Sequence, residues 1–134
     1  MVSDSNVSDG DRSWCDKKVF RHKGAILGFA GTVDYRIAFM AWWKSDRASL
    51  PPIAPEGSVL VLDHKALTVY SYGVTGEVIS SGIEAIGSGA KAAMCAYDAL
   101  SHTNPAKAVR IVCKHDSGSC GPVRVYRLKV AAKP

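Results

Sequence analysis

The patterns that would name a chemistry outright are missing from this sequence. Cys15, Cys95, Cys113 and Cys120 form no C-x-x-C pair, and His22, His64, His102 and His115 form no H-x-x-x-H or H-E-x-x-H pair. A metal site built from ligands paired at short spacing is therefore not expected. No apolar run reaches the roughly 18 residues of a membrane span. Met1 to Asp11 is polar, carries three aspartates and lacks a basic flank and an apolar stretch, so it is not read as a signal peptide. Free cytosolic thiols are then the expectation, with Cys95 and Cys113, both in helical patterns, read as buried packing groups. No internal repeat and no low-complexity tract occurs.

What is present fits one domain, 1–134. The 134 residues are 47% hydrophobic and 22% charged, ordinary values for a globular chain with one core. The net charge of +5 is spread along the chain. Its densest group, Lys17, Lys18, Arg21 and Lys23 with Phe20 and His22 between them, reads as a solvated hairpin face before it reads as a phosphate-binding patch. No zinc-finger or RNA-recognition signature supports nucleic-acid binding.

Periodicity orders the elements. Residues 18–31 read as two strands around Lys23-Gly24. Thr32 can cap a helix ending near Asp46, with Asp34 in its first turn; Val33, Ile37, Met40 and Lys44 form one stripe, and Phe39 and Trp43 the adjacent one. Adjacent Trp42 and Trp43 cannot both face the same core, so one is expected inside and the other against a neighbouring layer or subunit. The stretch 49–57 has three prolines and must be a loop. Strands are expected over 58–63, 67–72 and near 78–80, the first two joined by a turn at His64-Lys65-Ala66. Residues 83–89 read as a strand ending in a Gly-Ser-Gly turn, with Ser88 as a plausible cap for a helix over about 90–100. Asn104-Pro105 opens another helix, 116–122 is a turn, and Val123–Val130 is a final strand. Strands and helices fall into separate runs, which predicts an α+β fold with antiparallel sheets.

Three local features can carry chemistry. Gly87-Ser88-Gly89 opens a helix and could present a hydroxyl and N–H groups to an anion, or be a plain cap. It is neither a P-loop nor a G-x-S-x-G elbow. One of Lys17 and Lys18 must face inward in an alternating strand and needs a carboxylate, Asp4 or Asp16 being near. Asp116 to Ser119 closes a helix, which is usually only a turn.

Taken in chain order these segments resemble the proteasome β-subunit and HslV-type peptidases of the N-terminal-nucleophile hydrolase superfamily, most of all the short versions carried by phages and prophages. The resemblance lies in MVSDS with Asp4, DKKVF with Lys18, GAILGFAGTVDY with its GFAG turn, AIGSGAKAAMCAYDAL with Ser88, and AVRIVCKHDSGSCGPV with Asp116 and Ser119. It implies a four-layer αββα sandwich, a peptide or protein substrate, a homo-oligomer, a cytoplasmic setting and no cofactor, with no membrane and with nucleic acid the least favoured partner.

In such enzymes the nucleophile is an N-terminal threonine whose α-amino group is the base. The resemblance makes Lys18 the positive charge beside that hydroxyl and Asp4 its partner. Ser88, Asp116 and Ser119 become the network around the amino group, Gly31 the oxyanion donor, and Phe29 a wall of the specificity pocket. Two departures stand against this. The strand carrying the threonine should precede Asp4, where only Met1, Val2 and Ser3 stand, so the chain as written is expected to be N-terminally truncated and inactive. The proline-rich loop also stands where larger members have a second long helix. Three readings follow: a threonine-type peptidase whose start lies upstream, a non-catalytic proteasome-like structural or interaction protein, or a basic nucleic-acid-binding domain.

Overall fold

A computed structural model describes residues 1–9, 12–55, 57–63, 68–74, 76–80 and 82–128. Its centre is a five-stranded antiparallel sheet of β4 (Val19–His22), β5 (Ala25–Ala30), β6 (Ser58–Asp63), β7 (Thr68–Gly73) and β8 (Gly76–Ser80), in sequence order. Lys23 and Gly24 join β4 to β5 with φ of 45° and 86°, the left-handed pair that a two-residue hairpin turn requires. The turn expected at His64-Lys65-Ala66 lies outside the described residues.

Period-two alternation gives this sheet two different faces. Ala25, Leu27, Phe29, Val59, Val61 and Tyr72 are buried together on one face. On it lies α1 (Val33–Lys44), started by Thr32, whose hydroxyl accepts from the Tyr35 N–H at 3.3 Å. The buried stripe of α1 is Tyr35 and Phe39, not the one expected through Val33 and Ile37, which are both exposed. Phe39 wins because it meets the rings of Phe29, Tyr35, Trp42, Trp43 and Tyr72 at centroid distances of 5.1–6.3 Å. Both tryptophans therefore belong to this core: Trp42 donates to the Ser49 carbonyl at 2.9 Å, and Arg47 covers Trp43 at 4.7 Å.

The other face carries Val19, Gly28 and Leu60 side by side across β4, β5 and β6. It looks across a cleft to α2 (Ala90–Ala99) and α3 (Pro105–Val112). Asn104 caps α3, accepting from the Lys107 N–H at 2.9 Å, with Pro105 in its first turn. Beside α3 runs a second, small sheet, β1 (Val2–Ser3) paired with β9 (Arg124–Val125), and a separate hairpin joins β2 (Asn6–Asp9) to β3 (Arg12–Cys15). The fold is thus α+β and antiparallel throughout, layered helix, sheet, sheet, helix.

Four local expectations differ. Residues 83–86 are not a strand. The cap of α2 is Gly89, which makes no side-chain bond, because Ser88 bonds elsewhere. The final strand is only Arg124–Val125, residues 129–130 lying outside the described set. Cys95 is exposed rather than buried, being on the outer side of α2. No helix among the described residues is long and apolar enough to cross a membrane.

Candidate active site

Lys18 and Asp16 settle their partners differently. Lys18 Nζ lies 3.0 and 3.1 Å from the two oxygens of Asp4, while Asp16 takes Arg36 of α1 at 2.9 Å. The Arg36 guanidinium lowers the Asp16 pKa, helped by the Lys17 N–H. The Lys18–Asp4 pair is largely withdrawn from solvent, its side chains 22% and 13% exposed. Backbone N–H groups of Asn6 and Cys120 also donate to Asp4 Oδ2, at 3.1 and 3.3 Å, as a shielded carboxylate requires. Lys17 is the outward one, above the Phe20 ring at 5.2 Å.

A second constellation is centred on Asp116. Ser88 Oγ and Ser119 Oγ both donate to its Oδ2, at 3.1 and 2.5 Å, and the Gly118 N–H reaches Oδ1 at 3.3 Å. The Ser119 hydroxyl, with the Gly118 N–H, the Ser88 hydroxyl and the charge of Lys18 adding to it, holds Asp116 below the ordinary carboxylate range against an opposing effect of burial. Two glycines let the two turns interlock. A Cβ on Gly118 would stand 2.6 Å from Ser88 Oγ, and one on Gly89 would stand 2.7 Å from Val112 Cγ1 and 2.8 Å from Ser119 Oγ.

The two constellations meet at one cleft of about 330 Å³, lined by Asp4, Lys18, Ser88 and Ser119. Its other walls are apolar, with Leu60 and Val69 on the sheet and Ala93 and Val112 on the helices. Structure therefore brings together Asp4, Lys18, Ser88, Asp116 and Ser119. Gly31, with φ of 104°, turns the chain from β5 into α1 immediately after the cleft-lining Ala30. Phe29 borders the cleft, but its ring packs edge-on against Phe20 and Phe39, each at 5.8 Å. The ring points to the α1 side, because Phe29 follows Gly28 and alternation turns it to the face opposite Gly28.

Sequence reasoning missed the groups that hold these two sets in register. Ser5 is fully buried, donates its N–H to the Cys120 carbonyl at 3.1 Å and its hydroxyl to the Pro122 carbonyl at 2.7 Å, and accepts from the Asp16 N–H at 2.8 Å. Asn6 Nδ2 donates to the Gly118 carbonyl at 3.3 Å. A short polar run such as SDSN has no periodicity to betray it. The Met1 α-amino group donates to the Tyr126 carbonyl at 2.7 Å, and burial lowers its pKa, with Arg21 and Arg127 adding to the effect. Among the described residues no group of three or more His, Cys, Asp and Glu is placed to hold a metal.

No protein-family model and no curated protein matches the chain. Solved structures do. BPH of Thiobacillus denitrificans superposes with a TM-score of 0.74 at 12% identity, over 98% of this chain and 92% of that one. The same protein in complex with epoxomicin gives 0.73. Eukaryotic HslV from Trypanosoma brucei gives 0.68 at 22% identity, over 92% of this chain and 88% of that one. The chain shares their fold.

Proposed function

We propose that this chain is a proteasome/HslV-like peptidase subunit, hydrolysing amide bonds by N-terminal-nucleophile chemistry on peptide or protein substrates, within a homo-oligomer of phage or prophage type. The observation that supports this best is the Lys18–Asp4 pair held at one end of an apolar cleft beside the Ser88–Asp116–Ser119 network. An ammonium fixed by a carboxylate favours a developing alkoxide, and it does so more strongly in a site screened from water. The serine–aspartate network can orient an amino group that takes the hydroxyl proton and passes it to the leaving amine. Gly31 is the proposed oxyanion donor.

No threonine lines the cleft among the described residues. The nucleophile in this reading is a threonine supplied ahead of Asp4, and the chain as written holds the assisting groups. Epoxomicin, the compound bound in the Thiobacillus structure, provides the test by intact-mass spectrometry. The 134-residue chain is expected to take no adduct. A form extended upstream and processed to an N-terminal threonine is expected to take one on that residue, and to lose it with Lys18→Ala. Absence of an adduct on every form defeats the peptidase reading.

A further inference from the structure

The net charge of +5 is spread along the sequence, and folding gathers it. β4 is an edge strand of the central sheet. Arg21 on β4 donates from Nη2 to the Arg127 carbonyl at 2.9 Å, which brings the segment after β9 beside that strand. Lys17 Nζ and the Arg36 guanidinium of α1 stand over the Phe20 ring of the same strand, at 5.2 and 5.5 Å. Asp16 has its pKa lowered first by Arg36 and by the Lys17 N–H, and the charge of Arg124 on β9 is near enough to add to the effect. Lys23 stands in the turn that ends β4. Arg36 is half-buried and the other five cations are exposed.

Six cations thus share one surface, and the only carboxylate paired with any of them among the described residues is Asp16. Six against one leaves five positive charges, which is the whole formal charge of the chain. Elsewhere in the sequence basic and acidic residues are equal in number. Like charges gathered in this way repel and oppose the compact state. Shielding an edge strand from unwanted pairing takes charges on the strand itself, whereas Arg36, Arg124 and Arg127 come from other elements.

Asp16 shows what such a surface accepts. Its Oδ2 takes Arg36 Nη1 at 2.9 Å and its Oδ1 takes the Lys17 N–H at 2.6 Å, so a side-chain carboxylate already sits among cations from separate parts of the chain. That same carboxylate stands against a phosphate backbone, whose charges are fixed in a row. Carboxylates on separate flexible side chains can step around it.

We propose that this surface docks an acidic segment of another protein, whose Asp and Glu side chains meet Lys17, Arg21, Arg124 and Arg127 one by one. Lys17 is turned away from the cleft that Lys18 lines. The docking surface is therefore separate from the candidate active site, and the inference goes beyond the peptidase reading without depending on it.

The test is fluorescence anisotropy with a labelled peptide of alternating glutamate and serine. One control has glutamine in place of glutamate, and the other is an oligothymidylate of equal net charge. The parent chain is expected to bind the glutamate peptide, to ignore the glutamine peptide, and to release the former as salt screens the charges. Arg124→Gln with Arg127→Gln is expected to weaken binding about tenfold. Lys44→Gln with Lys91→Gln removes the same charge from exposed positions elsewhere, and is expected to leave affinity within about twofold of the parent, because distant exposed charges are screened. On the parent chain, the glutamate peptide is expected to shift the amide NMR signals of Lys17, Arg21 and Arg124 and leave those of α2 unmoved, a readout that needs no variant. Equal binding of the glutamine peptide, equal losses in the two double variants, tighter binding of the oligothymidylate, or amide shifts confined to other surfaces would each overturn the proposal. Docking without an epoxomicin adduct on any form would defeat only the peptidase reading, and an adduct without docking would defeat only this one.

Discussion

Gly118 and Ser88 belong to different turns, yet a single added carbon on Gly118 would come within 2.6 Å of the Ser88 hydroxyl. The turn that ends α3 is thus pressed against the turn that begins α2, and Asp116 is shared between them through Ser88 and Ser119.

This contact sets an order for two substitutions. In Gly118→Ala the Ser88 hydroxyl can rotate away, losing its bond to Asp116, for a cost of about 1 kcal/mol. In Gly89→Ala the new methyl meets Val112 Cγ1 and Ser119 Oγ together, and Val112 is buried, so the overpacking costs roughly 1–3 kcal/mol. Thermal unfolding should rank Gly89→Ala as the more harmful. The reverse ranking would mean that the two turns do not interlock as described.

The Lys18–Asp4 pair is asymmetric. Asp4 accepts from Lys18 and from two backbone N–H groups, whereas Lys18 can reach solvent once its partner is gone. Asp4→Ala should therefore cost about 2–3 kcal/mol, because two donors are left unpaired, and Lys18→Met about half of that. Urea unfolding of both single variants and the double variant gives the coupling directly. A Lys18→Met loss as large as that of Asp4→Ala would refute this arrangement.

Much of this architecture is legible in the sequence where local signals and packing agree. The Lys23-Gly24 turn and the Thr32 and Asn104 caps are set by near neighbours, and each stands as the sequence implies. Legibility fails where a distant partner competes. Ser88 has the right identity and place to cap α2, but Asp116, 28 residues away, takes its hydroxyl. In α1 two apolar stripes are possible on periodicity, and only the rings waiting on the sheet decide between them.

Acid should weaken the fold in part through Asp116. Its pKa is lowered in the folded chain, first by the Ser119 hydroxyl, so the unfolded chain binds the proton more readily. The stability from this group is present above the ordinary carboxylate pKa of 3.8 and is lost as pH falls through the lowered folded value. Carboxyl NMR titration should find Asp116 below its ordinary value in the parent chain and higher in Ser119→Ala. An Asp116 titration unchanged by Ser119→Ala would remove the hydroxyl as the cause.

Neighbouring positions of α1 give the sharpest contrast. Phe39 is fully buried and Ile37 is 61% exposed, although both are large and apolar. Phe39→Ala removes a ring that five other aromatic rings touch, and should cost about 3–5 kcal/mol through lost transfer energy and the cavity left behind. Such a loss is a large part of the roughly 5–15 kcal/mol that keeps a domain folded, so the variant should unfold at much lower denaturant. Ile37→Ser changes an outward position and should stay within about 0.5 kcal/mol of the parent chain. Because a serine in a helix is slightly less favourable than isoleucine in propensity at most, any larger loss at Ile37 would have to come from a covered surface. Comparing denaturant midpoints at low and high protein concentration then separates the two origins. A loss at Ile37 that appears only at high concentration would place that side chain in a contact between chains, and one independent of concentration would mean that the α1 stripe is wider than Tyr35 and Phe39.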